Sequence, residues 1–276
     1  MDPMDPAALA RSLPEIDPER PNPARIYDFW LGGSQNFAAD RDAGRRAAEA
    51  MPTLVAAIRA NRAFLGRMVR HLVADLGVTQ LLDLGSGTPT VGNVHEIAHR
   101  ANPEATVVYV DIDPVAIAHA RALLDGTPHA TAIRADLRHP EQVLADPTLN
   151  EALDLTRPVA ILMNAVLHFI PDAYQPGRIV RSYLDAAAPG SYLALSHAAP
   201  DLELPDEQDR MLRDYQRSTG VPFTNRTPEQ ISDWLTGLEI MPPGLVTVDQ
   251  WRPDPDAVNE PILRTYGVLA RIPAAS

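Results

Sequence analysis

Two glycines and two carboxylates fall where they could together hold a nucleoside. Gly85-Ser86-Gly87 follows the apolar run Gln80 to Leu84. Residues without side chains at such a turn let the backbone bend sharply and approach a bound group closely. Taken alone, the pair is a weak signal, since a glycine pair in such a turn can also be purely structural. Asp111 stands 24 residues beyond Gly87, at the end of the next apolar run, where a carboxylate can take both hydroxyls of a ribose. Asp136 closes a third run, where it can accept from an adenine amino group. If the runs are parallel strands, all three groups face one crevice beyond the strand ends.

The identity of the nucleoside turns on the loop. A dinucleotide fold wants G-x-G-x-x-G, with a third glycine under the pyrophosphate. Here the sixth position is Thr90 and Pro89 precedes it, which disfavours dinucleotides and leaves an NAD-dependent enzyme as the weaker alternative.

Other chemistries are narrowed by residue type. The chain has no cysteine, so thiolate metal sites, disulfides and cysteine nucleophiles are excluded. Its 24 basic residues are all arginine, which removes lysine Schiff-base and Walker-type chemistry. No H-E-x-x-H spacing indicates a metal and no G-x-S-x-G elbow is present. His168, in Asn164-Ala165-Val166-Leu167-His168-Phe169, is the best single candidate for a base; the alternative is a histidine packed beside Phe169 and Ile170. His197 is a weaker candidate of the same sort. Asp83 either touches the ligand or ties the loop by accepting backbone N–H bonds. Asp113, before Pro114, reads most simply as a helix N-cap.

The elements that must position these groups follow from periodicity. Leu54, Ile58, Leu65, Val69, Leu72 and Leu76 predict an amphipathic helix closed by Gly77. Strands are predicted at Gln80 to Leu84, Thr106 to Val110, Ala130 to Arg134, Val159 to Met163, Ser191 to Ser196 and Tyr266 to Ile272. Helices are predicted at Val91 to Ala101, Pro114 to Leu124, Leu204 to Ser218 and from Thr227 to Leu235. Apolar strands alternating with helices imply a parallel sheet covered on both faces, a doubly wound α/β domain. The segment Pro200 to Arg226 is too long for a plain connector, and is either a substrate-side lid or a surface helix with solvated charges.

Leu81-Leu82-Asp83-Leu84-Gly85-Ser86-Gly87, Val108 to Pro114 and Arg134 to Leu137 resemble the class I S-adenosylmethionine methyltransferases. Pro23 to Gly33, Asn36 to Arg41 and Gly85 to Thr90 are similar more narrowly to the bacterial "S-adenosyl methyltransferase" family, once a domain of unknown function, over nearly the whole chain. The resemblance implies a mostly parallel, seven-stranded Rossmann-like sheet with helices on both faces and an N-terminal helical cap. It implies S-adenosyl-L-methionine as cofactor and S-adenosyl-L-homocysteine as product. Gly85 and Gly87 would lie against the methionine part, Asp111 on the ribose and Asp136 on the adenine, with Asp83 just beneath. Ser86, Thr88, Ile112, Leu137 and Asn164 complete the expected cofactor set. Pro89, where many class I members carry glycine, is shared with the narrower family. The block with Tyr27, Asp28, Leu31, Gly32, Gly33 and Asn36 is either a cap closing over the cofactor or a helix packing aromatics on the core.

The expected layout is an N-terminal arm (1–22) and one methyltransferase domain (23–276). The domain divides into a cap (23–76), a cofactor core (79–200), an insertion or lid (201–226) and the C-terminal part of the sheet (227–276). A net charge of −12 argues against a broad nucleic-acid face. No apolar run approaches the roughly 18 to 20 residues of a membrane span. The acidic, proline-rich start lacks the pattern of a secretory signal, giving a cytoplasmic expectation. The reading is an enzyme methylating a small-molecule acceptor. The alternative is a non-catalytic regulator that binds the cofactor or its product; oligomeric state stays open.

Overall fold

The computed structural model describes residues 16–90, 92–200, 205–254 and 263–274. Five strands, β1 (Gln80–Leu84), β2 (Thr106–Asp111), β3 (Ala130–Arg134), β4 (Ala160–Asn164) and β5 (Tyr192–Ala198), run parallel in the order β3-β2-β1-β4-β5. Two-residue strands β6 (Glu239–Ile240) and β7 (Val246–Thr247) pair antiparallel with β8 (Thr265–Arg271), which itself runs antiparallel beside β5. The sheet is the expected doubly wound, mostly parallel one, with eight strands among the described residues where the resemblance implied seven. The two-residue β6 and β7 lie beyond what alternation in a sequence can reveal.

The helices follow in chain order: α1 (Pro23–Trp30), α2 (Ala38–Ala50), α3 (Leu54–Arg70), α4 (Val94–Ala101), α5 (Pro114–Leu124), α6 (Pro140–Leu144), α7 (Pro147–Ala152), α8 (Pro176–Asp185), α9 (Pro205–Thr219) and α10 (Pro228–Asp233). α4 begins at Val94 rather than Val91, which lies outside the described residues, as do residues 201–204 at the start of the predicted charged helix. α3 passes into a π-helical turn, His71–Asp75, before Gly77 at φ +69° ends it. Pro114 occupies the first turn of α5, and Asp113 Oδ1 accepts from the N–H groups of Val115 (2.7 Å) and Ala116 (3.2 Å), the N-cap read from the sequence.

Period-two alternation along the strands divides the core. Leu81, Val107, Tyr109, Ala132 and Leu162 pack with α3, α4 and α5 on one face. Leu82, Val108, Val110, Ile133 and Ile161 pack with α6, α7, α8 and α10 on the other. A third apolar cluster joins α1, α2, the start of α3 and α9 through Ile26, Trp30, Met51, Leu54, Met211 and Tyr215. This layer stands over the carboxyl ends of the strands. Strand order reverses at β1, between β2 and β4, and the crevice at such a reversal is where doubly wound folds take ligands. Residues 1–15 of the expected arm lie outside the described residues; Ile16 is buried with Phe37 and Val115. Among the described residues no helix is long and apolar enough to cross a membrane.

Candidate functional site

A cavity of about 560 Å³ opens along the carboxyl ends of β1, β2, β3 and β4, within the range that accommodates drug-sized ligands. Gly85, at φ +73°, begins its floor. A Cβ there would collide with Cγ2 of Val166, so the position demands both the glycine conformation and the missing side chain. Gly87 has φ +68°. Between and beyond them, Ser86 Oγ, Thr88 Oγ1 and Thr90 Oγ1 are buried with no hydrogen-bond partner among the described residues. Buried hydroxyls without partners are costly, and a polar ligand in the cradle satisfies them.

Asp111 is buried at the end of β2 and lines the same cavity. Its Oδ2 accepts from Gly87 N–H at 2.7 Å and its Oδ1 from Asp113 N–H at 2.8 Å. The loop-tying role that the sequence left open for Asp83 thus belongs to Asp111, and each of its oxygens keeps a lone pair for a further donor. Burial pushes the Asp111 carboxyl up to about 6, against the lowering effect of those N–H bonds. Asp83, also buried and lining the cavity, is pushed up to about 7 by burial, with Arg62 opposing and Asp111 adding to the rise. Ile112, beside Asp111, is an exposed apolar side chain on the cavity, suited to a flat ring.

Beside Asp136 the structure adds a partner that the sequence reading did not include. Arg138 Nε donates to both Asp136 oxygens at 2.9 Å and Nη2 to Oδ2 at 2.5 Å, with the guanidinium 4.9 Å from the Tyr174 ring centroid. Burial would raise the Asp136 carboxyl, but the Arg138 hydrogen bonds and charge outweigh it and hold the group below its ordinary value. Asp136 therefore stands in the wall as half of an ion pair. Leu137 and Asn164 line the cavity beside it.

Tyr27 reaches the cavity from α1 and is fixed by a chain of hydrogen bonds down to the sheet. Ser196 Oγ donates to Asn61 Oδ1 (2.7 Å), Asn61 Nδ2 to the Tyr27 hydroxyl (3.0 Å), and that hydroxyl to Ile58 O (3.4 Å). Gly32, Gly33 and Asn36 do not line the cavity. They wrap the buried Asp28: Asn36 Nδ2 donates to its Oδ2 at 2.7 Å, and a Cβ on Gly33 would collide with its Oδ1. These glycines shape the turn after α1 rather than a ligand surface. Arg25, buried between Asp40 (2.9 Å) and Asp113 (3.4 Å), ties the cap to the start of α5.

The far end of the cavity is apolar and carries His168. Its ring is buried, stacked on Phe223 at 4.4 Å and edge-on to Phe169 at 4.3 Å, with Nδ1 lacking a partner among the described residues. Both alternatives for this residue are visible at once: it packs on aromatics and it faces the cavity. Burial, His197 and Arg226 hold its pKa well below the usual imidazole value, so the ring is neutral at neutral pH. His197 does not line the cavity; its Nε2 meets Arg226 Nη1 at 3.0 Å, and burial pushes its pKa down to about 4. Arg226 also donates to Leu167 O (3.0 Å), Ile170 O (2.7 Å) and Asp172 Oδ1 (2.7 Å), pinning the loop that presents His168.

Trp30, Leu54, Met211, Tyr215, Phe223 and Asn225 complete this end and were not singled out from the sequence. They come from α1, α3, α9 and the loop after α9, distant in sequence and without a common spacing. The one local signal was the aromatic density around Tyr27 to Trp30 in a chain that is 5% aromatic. Among the described residues no cluster of His, Asp or Glu is arranged to hold a metal ion.

The geometry fits S-adenosylmethionine: a glycine cradle with unpartnered hydroxyls, a buried acid for the ribose and an apolar shelf beside it. Comparison with known proteins agrees. The model of the family described as S-adenosyl methyltransferase matches residues 10–273. A DUF574 family protein from Streptomyces avermitilis is 38% identical, with a TM-score of 0.88 over 93% of this chain and 99% of that one. A protein from Thermobifida fusca is 39% identical, with a TM-score of 0.85 over 93% and 96%. Human N-acetylserotonin methyltransferase, solved with S-adenosylmethionine, shares the fold at 16% identity and TM-score 0.50, over 97% of this chain and 66% of that one. The curated proteins hold no match. The chain belongs to the S-adenosyl methyltransferase family and is an S-adenosylmethionine-dependent methyltransferase.

Proposed function

We propose that this enzyme methylates a small-molecule acceptor held at the apolar end of the cavity, in line with a cofactor held at the polar end. The observation that carries the proposal is the continuity of one cavity from the Gly85–Thr90 turn to His168. Gly85, Ser86, Gly87 and Thr88 take the methionine part, Asp111 the ribose, and Ile112, Leu137 and the Asp136–Arg138 pair surround the adenine. Asp83, Asn164 and Tyr27 line the middle. Gly32, Gly33 and Asn36 act indirectly, by fixing the turn that ends α1.

When bound, S-adenosylmethionine supplies an electrophilic methyl on a sulfonium. The protein's task is alignment and exclusion of water, with a base only where the acceptor carries a proton. His168, neutral and facing the cavity, accepts that proton. Residues 23–76 serve as cap, 79–90 and 92–200 as cofactor core, 205–226 as acceptor wall and 227–254 with 263–274 as completion of the sheet. An acidic chain with an apolar acceptor end suits a small molecule better than a nucleic acid, and we place the reaction in the cytoplasm, where the cofactor is made. Titration calorimetry with S-adenosylmethionine and S-adenosylhomocysteine, followed by transfer of a radiolabelled methyl to a small-molecule extract, tests this. Label that stays with macromolecules contradicts it.

A further inference from the structure

The cavity concentrates rings to a degree that composition does not explain. Of the chain's five Phe, seven Tyr and three Trp, Tyr27, Trp30, Phe169, Tyr174, Tyr215 and Phe223 line this one cavity. Four of them form a connected array: Trp30 and Tyr215 near-parallel at 6.3 Å, Tyr215 edge-on to Phe223 at 6.4 Å, and Phe169 edge-on to Phe223 at 5.4 Å. Such walls favour flat guests that continue the stacked and edge-on pattern.

Two polar atoms interrupt the array without partners. His168 Nδ1 and Asn225 Oδ1 are both buried and unbonded among the described residues. The segments that carry them are locked side by side, because Thr224 N–H donates to His168 O at 2.7 Å. Both residues line the cavity. A carbonyl oxygen accepts only, and Nδ1 of a neutral imidazole accepts when Nε2 carries the proton, so the two atoms call for two donors on the guest, one O–H serving one acceptor at a time. Arg62, Arg138 and Arg264 also line the cavity, and Arg264 is the side chain a carboxylate would seek, so a carboxylate probe distinguishes charge recognition from the acceptor pair.

We infer that the acceptor is a flat aromatic molecule whose hydroxyl donates to His168 Nδ1, which leaves Asn225 Oδ1 for a second donor on the guest. The inference rests on the cofactor occupying the polar end, as proposed above. Transfer then forms the bond from acceptor oxygen to methyl carbon, the methyl–sulfur bond breaks with its electron pair going to sulfur, and the hydroxyl proton passes to the His168 imidazole.

The test is competitive titration of the whole chain, saturated with S-adenosylhomocysteine, using three probes: 2-naphthol, naphthalene and 2-naphthoate. The expected result is 2-naphthol bound about tenfold or more tighter than naphthalene, as for a buried acceptor left unpaired by the hydrocarbon. His168→Phe and His168→Leu should each reduce that preference to about twofold while naphthalene affinity holds. Binding of none of the three, preference for 2-naphthoate, or a 2-naphthol preference unchanged in both variants overturns the inference. The initial S-adenosylhomocysteine titration separates the two readings. Product bound without naphthol overturns only the acceptor class, whereas no product binding to folded protein overturns the cofactor assignment and this inference with it.

Discussion

The Gly87 N–H donates to Asp111 Oδ2 at 2.7 Å, so the acid ending β2 holds in place the turn that ends β1. In the proposed arrangement the carboxylate that shapes the cradle also takes the ribose hydroxyls. Removing it would then untie the loop and delete two ligand hydrogen bonds together. Asp111→Ala should weaken S-adenosylhomocysteine binding by at least about 100-fold, as expected for losing two charge-assisted bonds of about 1.5–3 kcal/mol each. Calorimetry reads the affinity, and thermal unfolding checks that the variant is folded.

Gly85 and Val166 make a second expectation. Because a Cβ on Gly85 would overlap Val166 Cγ2, Gly85→Ala combines a clash with backbone strain at φ +73° and should cost about 2–4 kcal/mol. Gly77→Ala, at φ +69° with open space around it, should cost only about 1 kcal/mol. Adding Val166→Ala to Gly85→Ala should recover part of the loss, leaving the conformational part. Denaturant unfolding of the wild type and the three variants tests this; equal losses at Gly85 and Gly77 would count against the packing explanation.

Asp83 predicts a pH dependence with a definite sign. Its folded pKa is about 7 against an ordinary 3.8, so between those values the unfolded chain releases a proton that the folded protein keeps. Fold stability attributable to this group is full below pH 3.8 and is lost as pH rises through about 7. Asp83→Asn removes the effect. Its advantage over the wild type should grow from near zero at pH 4 to at most about 4 kcal/mol at pH 8. Urea unfolding at pH 4, 6 and 8 measures it, and an advantage that fails to grow with pH contradicts the burial explanation.

His168 should separate binding from turnover. His168→Gln is expected to lower kcat by about 10²–10⁴-fold on a hydroxyl acceptor while S-adenosylhomocysteine affinity changes by no more than about threefold. Because burial, His197 and Arg226 keep the wild-type ring neutral, any acid limb of the rate near pH 6 to 7 belongs to Asp111 and Asp83 and should persist in His168→Gln. An acid limb that disappears in His168→Gln would show the imidazole taking up its proton there.

The shared cavity wall of the proposed cofactor half was legible because local chemistry and fold period coincide in it. Gly85, Gly87 and Asp111 each end or follow a continuous apolar strand, and the parallel order brings those ends together. Asp136 was legible in position but not in state, since Arg138, two residues on, takes its carboxylate. Gly32, Gly33 and Asn36 have types suited to a ligand loop, yet they enclose Asp28, a carboxylate whose burial is set by tertiary packing. The acceptor half was least legible. Trp30, Phe169, Tyr215 and Phe223 meet only when α9 folds over α1, and no spacing along the chain announces that contact.

The most direct measurement is a crystal structure with S-adenosylhomocysteine. It should show the ribose hydroxyls on Asp111, the amino-acid part against Gly85 and Gly87, and the thioether sulfur directed along the cavity toward His168. A ligand seated elsewhere, or a sulfur turned away from the aromatic end, would contradict the proposed arrangement.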